Sequence, residues 1–291
     1  VLFGSSGNVT VQWDAVAGVT YDLYRSQNSF GSGMSWTKVL ANDLAAGSVE
    51  EALVNGGATQ QFFQVVPAGY SPTSNGVWGL IKPYIRGNAF TMLTPPLRSD
   101  QAFSGAFGAS LAAALTGNND GVANENGDEV FFLKPDGGWE NLYLDASGTW
   151  RDSGGAVSTN VLRTGQGVLV QRNSGSAAQP SFVGQVGNLS QQTNVIAEGW
   201  SIIGLSEGKL MPMSTLFSDL PSGSLNASYA EESADLLIVL DDDGSWTRFQ
   251  RMGNNFWYNL ETLTISTVTL RPGQAYYFYR VSGTGSLQVR F

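Results

Sequence analysis

Two chemically versatile residue types are missing from this chain of 291 residues: it has no cysteine and no histidine. Without cysteine there are no disulfides, no thiolate metal sites and no thiol nucleophile. Without histidine, the commonest general base near neutral pH and the commonest metal ligand are absent as well. Charge is scarce. Asp, Glu, Lys and Arg form 13% of the residues, about half the usual share. The balance is acidic, with 15 Lys and Arg against 24 Asp and Glu, net −9. There is no basic run, so no nucleic-acid partner is expected, because such partners are held mainly by cations on phosphates. An anionic membrane surface is disfavoured for the same reason. No apolar run reaches 18 residues, so no transmembrane segment is expected. The opening "VLFGSSGNVTVQW" lacks a basic start and an apolar stretch. It does not read as a signal peptide, and it fits the start of a mature chain from which one was removed.

What is abundant points to β structure. Gly numbers 36, aromatic residues reach 11% and hydrophobic residues 42%. Low charge with many Gly and aromatics fits an all-β protein with a polar, largely uncharged surface.

The chain repeats itself. "LRTGQGVLVQR" begins at Leu162, and "LRPGQAYYFYR" begins 108 positions later at Leu270. Trp139 matches Trp246 and Trp150 matches Trp257, both at an offset of 107. Phe90 matches Trp200 at 110. Landmarks at so nearly constant an offset indicate an internal duplication of a module of about 100 residues. Within each copy, apolar runs alternate with Asp/Gly turns, the pattern of β-hairpins. Each copy also has one short helical candidate, Ser104 to Leu115 in the first and Met213 to Leu220 in the second, with Ser214 as a candidate N-cap.

The first 70 residues differ. "NVTVQWDAV" places Val9, Val11 and Trp13 on one strand face, and "GVTYDLYRS", "SWTKVLANDL" and "TQQFFQVVPAG" follow as further strands. Trp13, the Tyr-x-Leu-Tyr-Arg run at 21 to 25 and the closing Phe-Phe-x-Val-Val resemble the fibronectin type III-like modules of secreted bacterial proteins. The resemblance implies a β-sandwich, although the segment is short for one, which implies strands supplied from elsewhere. The repeats are similar to a recurring β-rich module in uncharacterised surface or secreted proteins of environmental bacteria. That family brings no assigned chemistry.

The expected fold class is therefore all-β: an Fn3-like sandwich (1–70), a linker or first repeat strand (71–87), then two tandem sandwich-like modules (88–190 and 191–291), each with one short helix.

The candidate chemistry is thin. Gly204-Leu205-Ser206-Glu207-Gly208 matches the nucleophile-elbow pattern, but that site needs a His. Ser35 and Lys38 match S-x-x-K on a predicted strand, and chance explains both matches. Asp241, Asp242 and Asp243 sit in a predicted hairpin turn, where Asp is favoured for backbone reasons. Glu231 and Glu232 lack any sign of an apolar pocket. "GNNDGVANENGDE" is dense in oxygen ligands, and Asp120, Asn124, Asn126 and Asp128 are candidate calcium ligands against a default of a solvated loop. No other cofactor is expected. Trp139 and Trp246 are candidate sugar-stacking residues, against a default of core packing for all four duplicated tryptophans. Tyr276 and Phe278 alternate with Tyr277 and Tyr279, so both faces of that strand are expected to be covered.

With no catalytic constellation, the preferred reading is a non-enzymatic extracellular or cell-surface structural protein. It would assemble into a homo-oligomer or polymer, a surface layer or filament, by strand pairing at its β-prone ends. The residues concerned are Val1, Leu2 and Phe3 at one end and Leu287, Val289 and Phe291 at the other. The alternative is a carbohydrate-binding or adhesive module with a polysaccharide as partner.

Overall fold

The computed structural model describes residues 2–3, 8–27, 34–47, 49–55, 60–72, 77–95, 101–102, 105–118, 127–134, 136–162, 165–186, 194–205, 210–218, 220, 224–252, 256–281 and 287–289. The chain is all-β, and the named strands pair antiparallel. The N-terminal part contributes β1 (Leu2–Phe3), β2 (Asn8–Asp14), β3 (Thr20–Ser26), β4 (Thr37–Leu44), β5 (Val49–Asn55), β6 (Gln60–Pro67) and β7 (Val77–Ile81). The first repeat contributes β8 (Ala89–Leu93), β9 (Gln101–Ala102), helix α1 (Ala106–Ala114), β10 (Glu129–Leu133), β11 (Trp139–Leu144), β12 (Trp150–Asp152), β13 (Val161–Leu162), β14 (Val168–Arg172) and β15 (Phe182–Val186). The second contributes β16 (Asn194–Ile196), β17 (Gly199–Gly204), β18 (Met211–Pro212), β19 (Leu236–Leu240), β20 (Trp246–Arg251), β21 (Trp257–Asn259), β22 (Thr264–Ile265), β23 (Thr269–Leu270), β24 (Ala275–Arg280) and β25 (Leu287–Val289).

At the N-terminus two sheets face each other. One runs β1-β2-β5, the other β15-β7-β6-β3-β4. Alternation in β2 turns Val9, Val11 and Trp13 inward, where they meet Leu23, Phe63 and Leu80 of the opposite sheet. Burying each such aliphatic or aromatic side chain is worth about 1.5–3 kcal/mol. The sheet does not end at residue 70. β7 comes from the segment expected to be a linker or a repeat strand, and β15 comes from the end of the first repeat. The strands that the short N-terminal segment lacks are thus supplied downstream. β7 can fill an interior position because Val77, Leu80 and Ile81 are all buried.

The duplication is visible in the strand order. The first repeat forms β8-β14-β10-β11-β12, the second β17-β24-β19-β20-β21-β22. The small pairs correspond as well: β9 with β13, and β18 with β23. Each repeat has its own core. Trp150, Leu142, Val168 and Val170 pack with Phe107 and Leu111 of α1 in the first. Trp257, Phe249, Leu237 and Phe278 pack together in the second. Phe182 of β15 stacks on Phe107 of α1 at 4.6 Å, which ties the N-terminal sandwich to the first repeat.

The helix expected in the second repeat is not an α-helix. Only Met213–Thr215 forms one 3-10 turn, Ser214 makes no cap, and the preceding position is Pro212. Phe217 adopts a left-handed φ of 67°, which ends the turn. Met213, Leu216 and Phe217 nonetheless fill the core position that α1 fills in the first copy.

Equivalent segments of the two repeats meet one another, as they would across a two-fold axis. Leu93 pairs with Gln274, and its repeat-exchanged image, Ile203 with Gln166, pairs likewise. Thr94 N–H donates to Gly273 O at 3.1 Å, and Gly204 N–H donates to Gly165 O at 2.8 Å. Gly165 and Gly273 have φ of 79° and 81°, a turn that glycine enters without strain. These are the glycines of the duplicated Leu-Arg-x-Gly-Gln motif, so the recurring element pins each repeat to the other. Met92, Ile202, Leu240 and Ala275 form the apolar seam between them.

Candidate ligand-binding groove

The duplicated tryptophans divide into two pairs. Trp150 and Trp257 are 4% and 1% exposed and belong to the two cores. Trp139 and Trp246 are 44% and 42% exposed, which corrects the expectation that all four pack inside. Strand parity separates them. Trp139 shares its face of β11 with Asn141, and Trp246 shares its face of β20 with Arg248, while Leu142 and Phe249 point to the cores.

Because the repeats meet through equivalent segments, these two exposed tryptophans come together. Both reach the ring of Tyr277 on β24, Trp139 at 5.9 Å and Trp246 at 5.5 Å. Trp200 of β17, 43% exposed, joins at 6.0 Å. The four rings, with Leu133, Gly137, Ile238 and Arg248, line a groove of about 360 Å³. Leu133, Gly137 and Trp139 come from the first repeat, and the others come from the second. Tyr277 is half-buried at this seam, and burial pushes its hydroxyl up to about 12. It is a neutral phenol across the physiological range. Alternation along β24 puts Tyr276 and Phe278 in the core and Tyr277 and Tyr279 outward. The outward pair is only half-covered within the chain, so of the two forms of the expectation, burial inside the fold or under a partner, the first is not met.

The groove carries little net charge. Arg248 pairs with Glu231 at 2.9 Å and with Glu261 at 3.4 Å, all three being exposed. No carboxylate lines the groove among the described residues. Its turns are built as the sequence indicates. Gly137 N–H donates to Lys134 O on one side, and Gly244 N–H donates to Asp241 O on the other, with φ of 80° and 88°. The Asp241–Asp243 run thus forms a hairpin turn, where Asp243 accepts from Ser245 and Asp242 pairs with Arg271 at 2.9 Å.

The other candidates lie elsewhere. Asp120, Asn124 and Asn126 fall outside the described residues. Asp128 is fully buried, and its carboxylate accepts from Thr116 N–H (2.8 Å), Asn173 N–H (2.8 Å) and the Arg172 guanidinium (2.9 Å). Asp235 repeats that role, accepting from Asn226 N–H and Val281 N–H. Asp128 therefore holds strand ends together, and among the described residues no cluster of carboxylates could hold a metal ion. Lys38 of the S-x-x-K match is paired with buried Asp22 at 2.7 Å. Ser206 to Gly208 of the elbow match lie outside the described residues, while Gly204 packs on Thr94.

At the termini, Leu2 and Phe3 pair with Thr10 and Val9, at one edge of the sheet β1-β2-β5. Leu287 and Val289 pair with Ile196 and Asn194. Val1 and Phe291 are outside the described residues.

Trp200 and Tyr277 were not legible as site residues. For Tyr277 the signal available was parity with the half-exposed Tyr279 on β24, whereas Trp200 shares its face of β17 with the buried Ile202 and joins the tyrosines only through pairing of β17 with β24. No helix among the described residues is long and apolar enough to cross a membrane. Comparison with protein families, curated proteins and solved structures finds no match in any of the three.

Proposed function

We propose that this chain is a non-enzymatic, extracellular carbohydrate-binding protein, and that the groove between its repeats holds the sugar. The observation that carries this reading is the convergence of Trp139, Trp246, Trp200 and Tyr277 on one open groove with about two-fifths of each indole exposed. Indole faces offer flat apolar area with a polar N–H at one edge, which suits a pyranose with C–H faces and hydroxyl rims. Hydrolysis needs two carboxylates flanking the bond, and the groove residues supply none. That supports binding without cleavage at this groove. The N-terminal sandwich, with three strands facing four and a fifth added by β15, supports its reading as a fibronectin type III-like module.

Affinity electrophoresis in gels containing neutral polysaccharides tests the proposal. The chain is expected to be retarded. Trp139→Ala and Trp246→Ala should each weaken retention about tenfold with an unchanged circular dichroism spectrum. Free migration of the unaltered chain in every gel would remove the reading.

A second reading, assembly by strand addition, rests on β1 and β25. Each uses one hydrogen-bonding edge within its own chain and has no second strand neighbour among the described residues. Filaments or sheets in negative-stain electron microscopy, lost on deleting Val1 to Phe3, would favour it.

A further inference from the structure

The groove is the middle of a longer aromatic track. Phe90 of β8 contacts Phe131 of β10 at 6.4 Å, and Phe131 contacts Trp139 at 6.5 Å. Trp139 contacts Tyr277 at 5.9 Å, Tyr277 contacts Trp200 at 6.0 Å, and Trp200 contacts Tyr279 at 4.7 Å. The path starts on the first repeat, crosses the seam and ends on the second. Phe90 is 42% exposed and its repeat equivalent Trp200 is 43% exposed, so the duplication places one exposed ring of the track on each repeat.

We infer that the ligand is an extended, uncharged glycan bound along its length, and not a terminal sugar or a disaccharide. This inference rests on the carbohydrate reading of the groove. Two observations favour such a chain. The ring centroids lie 4.7–6.5 Å apart and mostly meet edge to face, so more than one unit of a chain can lie against them. The net charge of −9, with Arg248 already between two glutamates, disfavours an acidic glycan. Units beyond the groove engage Phe90 and Phe131 on one side, which makes those residues determinants of length preference.

Isothermal titration with β-1,4-linked gluco-oligosaccharides of two to six units, and with polygalacturonate as the acidic contrast, tests this on the full chain. Affinity should rise by about twofold to tenfold for each added stacked ring and then level off. Polygalacturonate should not bind. Phe90→Ala, on an exposed ring, should flatten the rise between four and six units. Phe131→Ala serves as a second variant at the half-buried position. Equal affinity for two and six units would overturn the track and leave the groove reading standing. No binding to any oligosaccharide would overturn both. Dimerisation in light scattering that is lost in Phe90→Ala would also overturn it, since a second copy would then cover the track.

Discussion

Glu129 carries its carboxyl on a residue that is almost wholly buried, at the start of β10. Burial raises its pKa above the ordinary 4.5, and the hydrogen bond from Asn141 Nδ2 at 3.0 Å only partly opposes this. The native state therefore holds this proton more tightly than the unfolded chain does. Its contribution to stability is complete below 4.5 and is lost as pH rises through the raised native value. Glu129→Gln keeps an Asn141 partner and removes the ionisation. Urea denaturation should show the variant gaining on the parent as pH rises from 4 to 8, and a pH-independent difference would refute the assignment. Asp145 behaves oppositely. Burial is outweighed by donors from Ser147, Thr149 and Arg151, which hold its carboxyl well below the ordinary range. Its contribution is present at neutral pH and is lost only in strong acid. The sequence shows acidic residues in both places and does not distinguish them, because the deciding term is the neighbours that folding brings. The same holds for Asp128. In the sequence it belongs to an oxygen-rich loop, and in the fold it is the buried partner of Arg172, a residue 44 positions away.

Between elements, glycine and its repeat equivalent decide how closely β8 and β17 approach. A Cβ on Gly204 would come within 2.2 Å of Thr94 Cβ, and Thr94 is the residue at the equivalent place in the first repeat. A Cβ on Gly167 would likewise meet the Cβ of its equivalent, Ala275, at 2.3 Å. Positions facing their own images cannot both carry side chains, so the duplicated sequence has lost one of each pair. Gly204→Ala should destabilise the chain by about 1–3 kcal/mol through overpacking. Thr94→Gly in the same chain should recover part of that loss by freeing the space, so a double-mutant cycle in thermal denaturation should show coupling. Strict additivity would mean the two residues do not share this space. The repeat itself was legible from tryptophan and Leu-Arg-x-Gly-Gln spacing. Which tryptophans face outward was legible only through parity, since the offset is the same for buried and exposed pairs. The second helix was misread because apolar spacing over eight residues cannot tell a helix from a 3-10 turn followed by a left-handed Phe217.

At the scale of the molecule, the three sequence segments do not fold as three independent beads. The N-terminal sandwich borrows β7 and β15, and Phe182 next to that border packs into the first repeat. A fragment of residues 1–70 lacks both strands and exposes the apolar edge of β6. It should show no cooperative thermal transition by circular dichroism, whereas a fragment ending after β15 should. A cooperative transition in the short fragment would show that the borrowed strands are dispensable.

By itself the sequence determined the all-β class, the duplication and the hairpin turns. These follow from local alternation, from Gly and Asp turn chemistry, and from repetition. The tertiary structure decided which strands complete the first sandwich and that the repeats meet through equivalent segments. It also decided that Trp139 and Trp246 share one groove with Tyr277. Those are contacts between separate hairpins and between repeats, as far apart in the chain as Leu93 and Gln274, and they depend on which faces and edges are left over once each local core is satisfied.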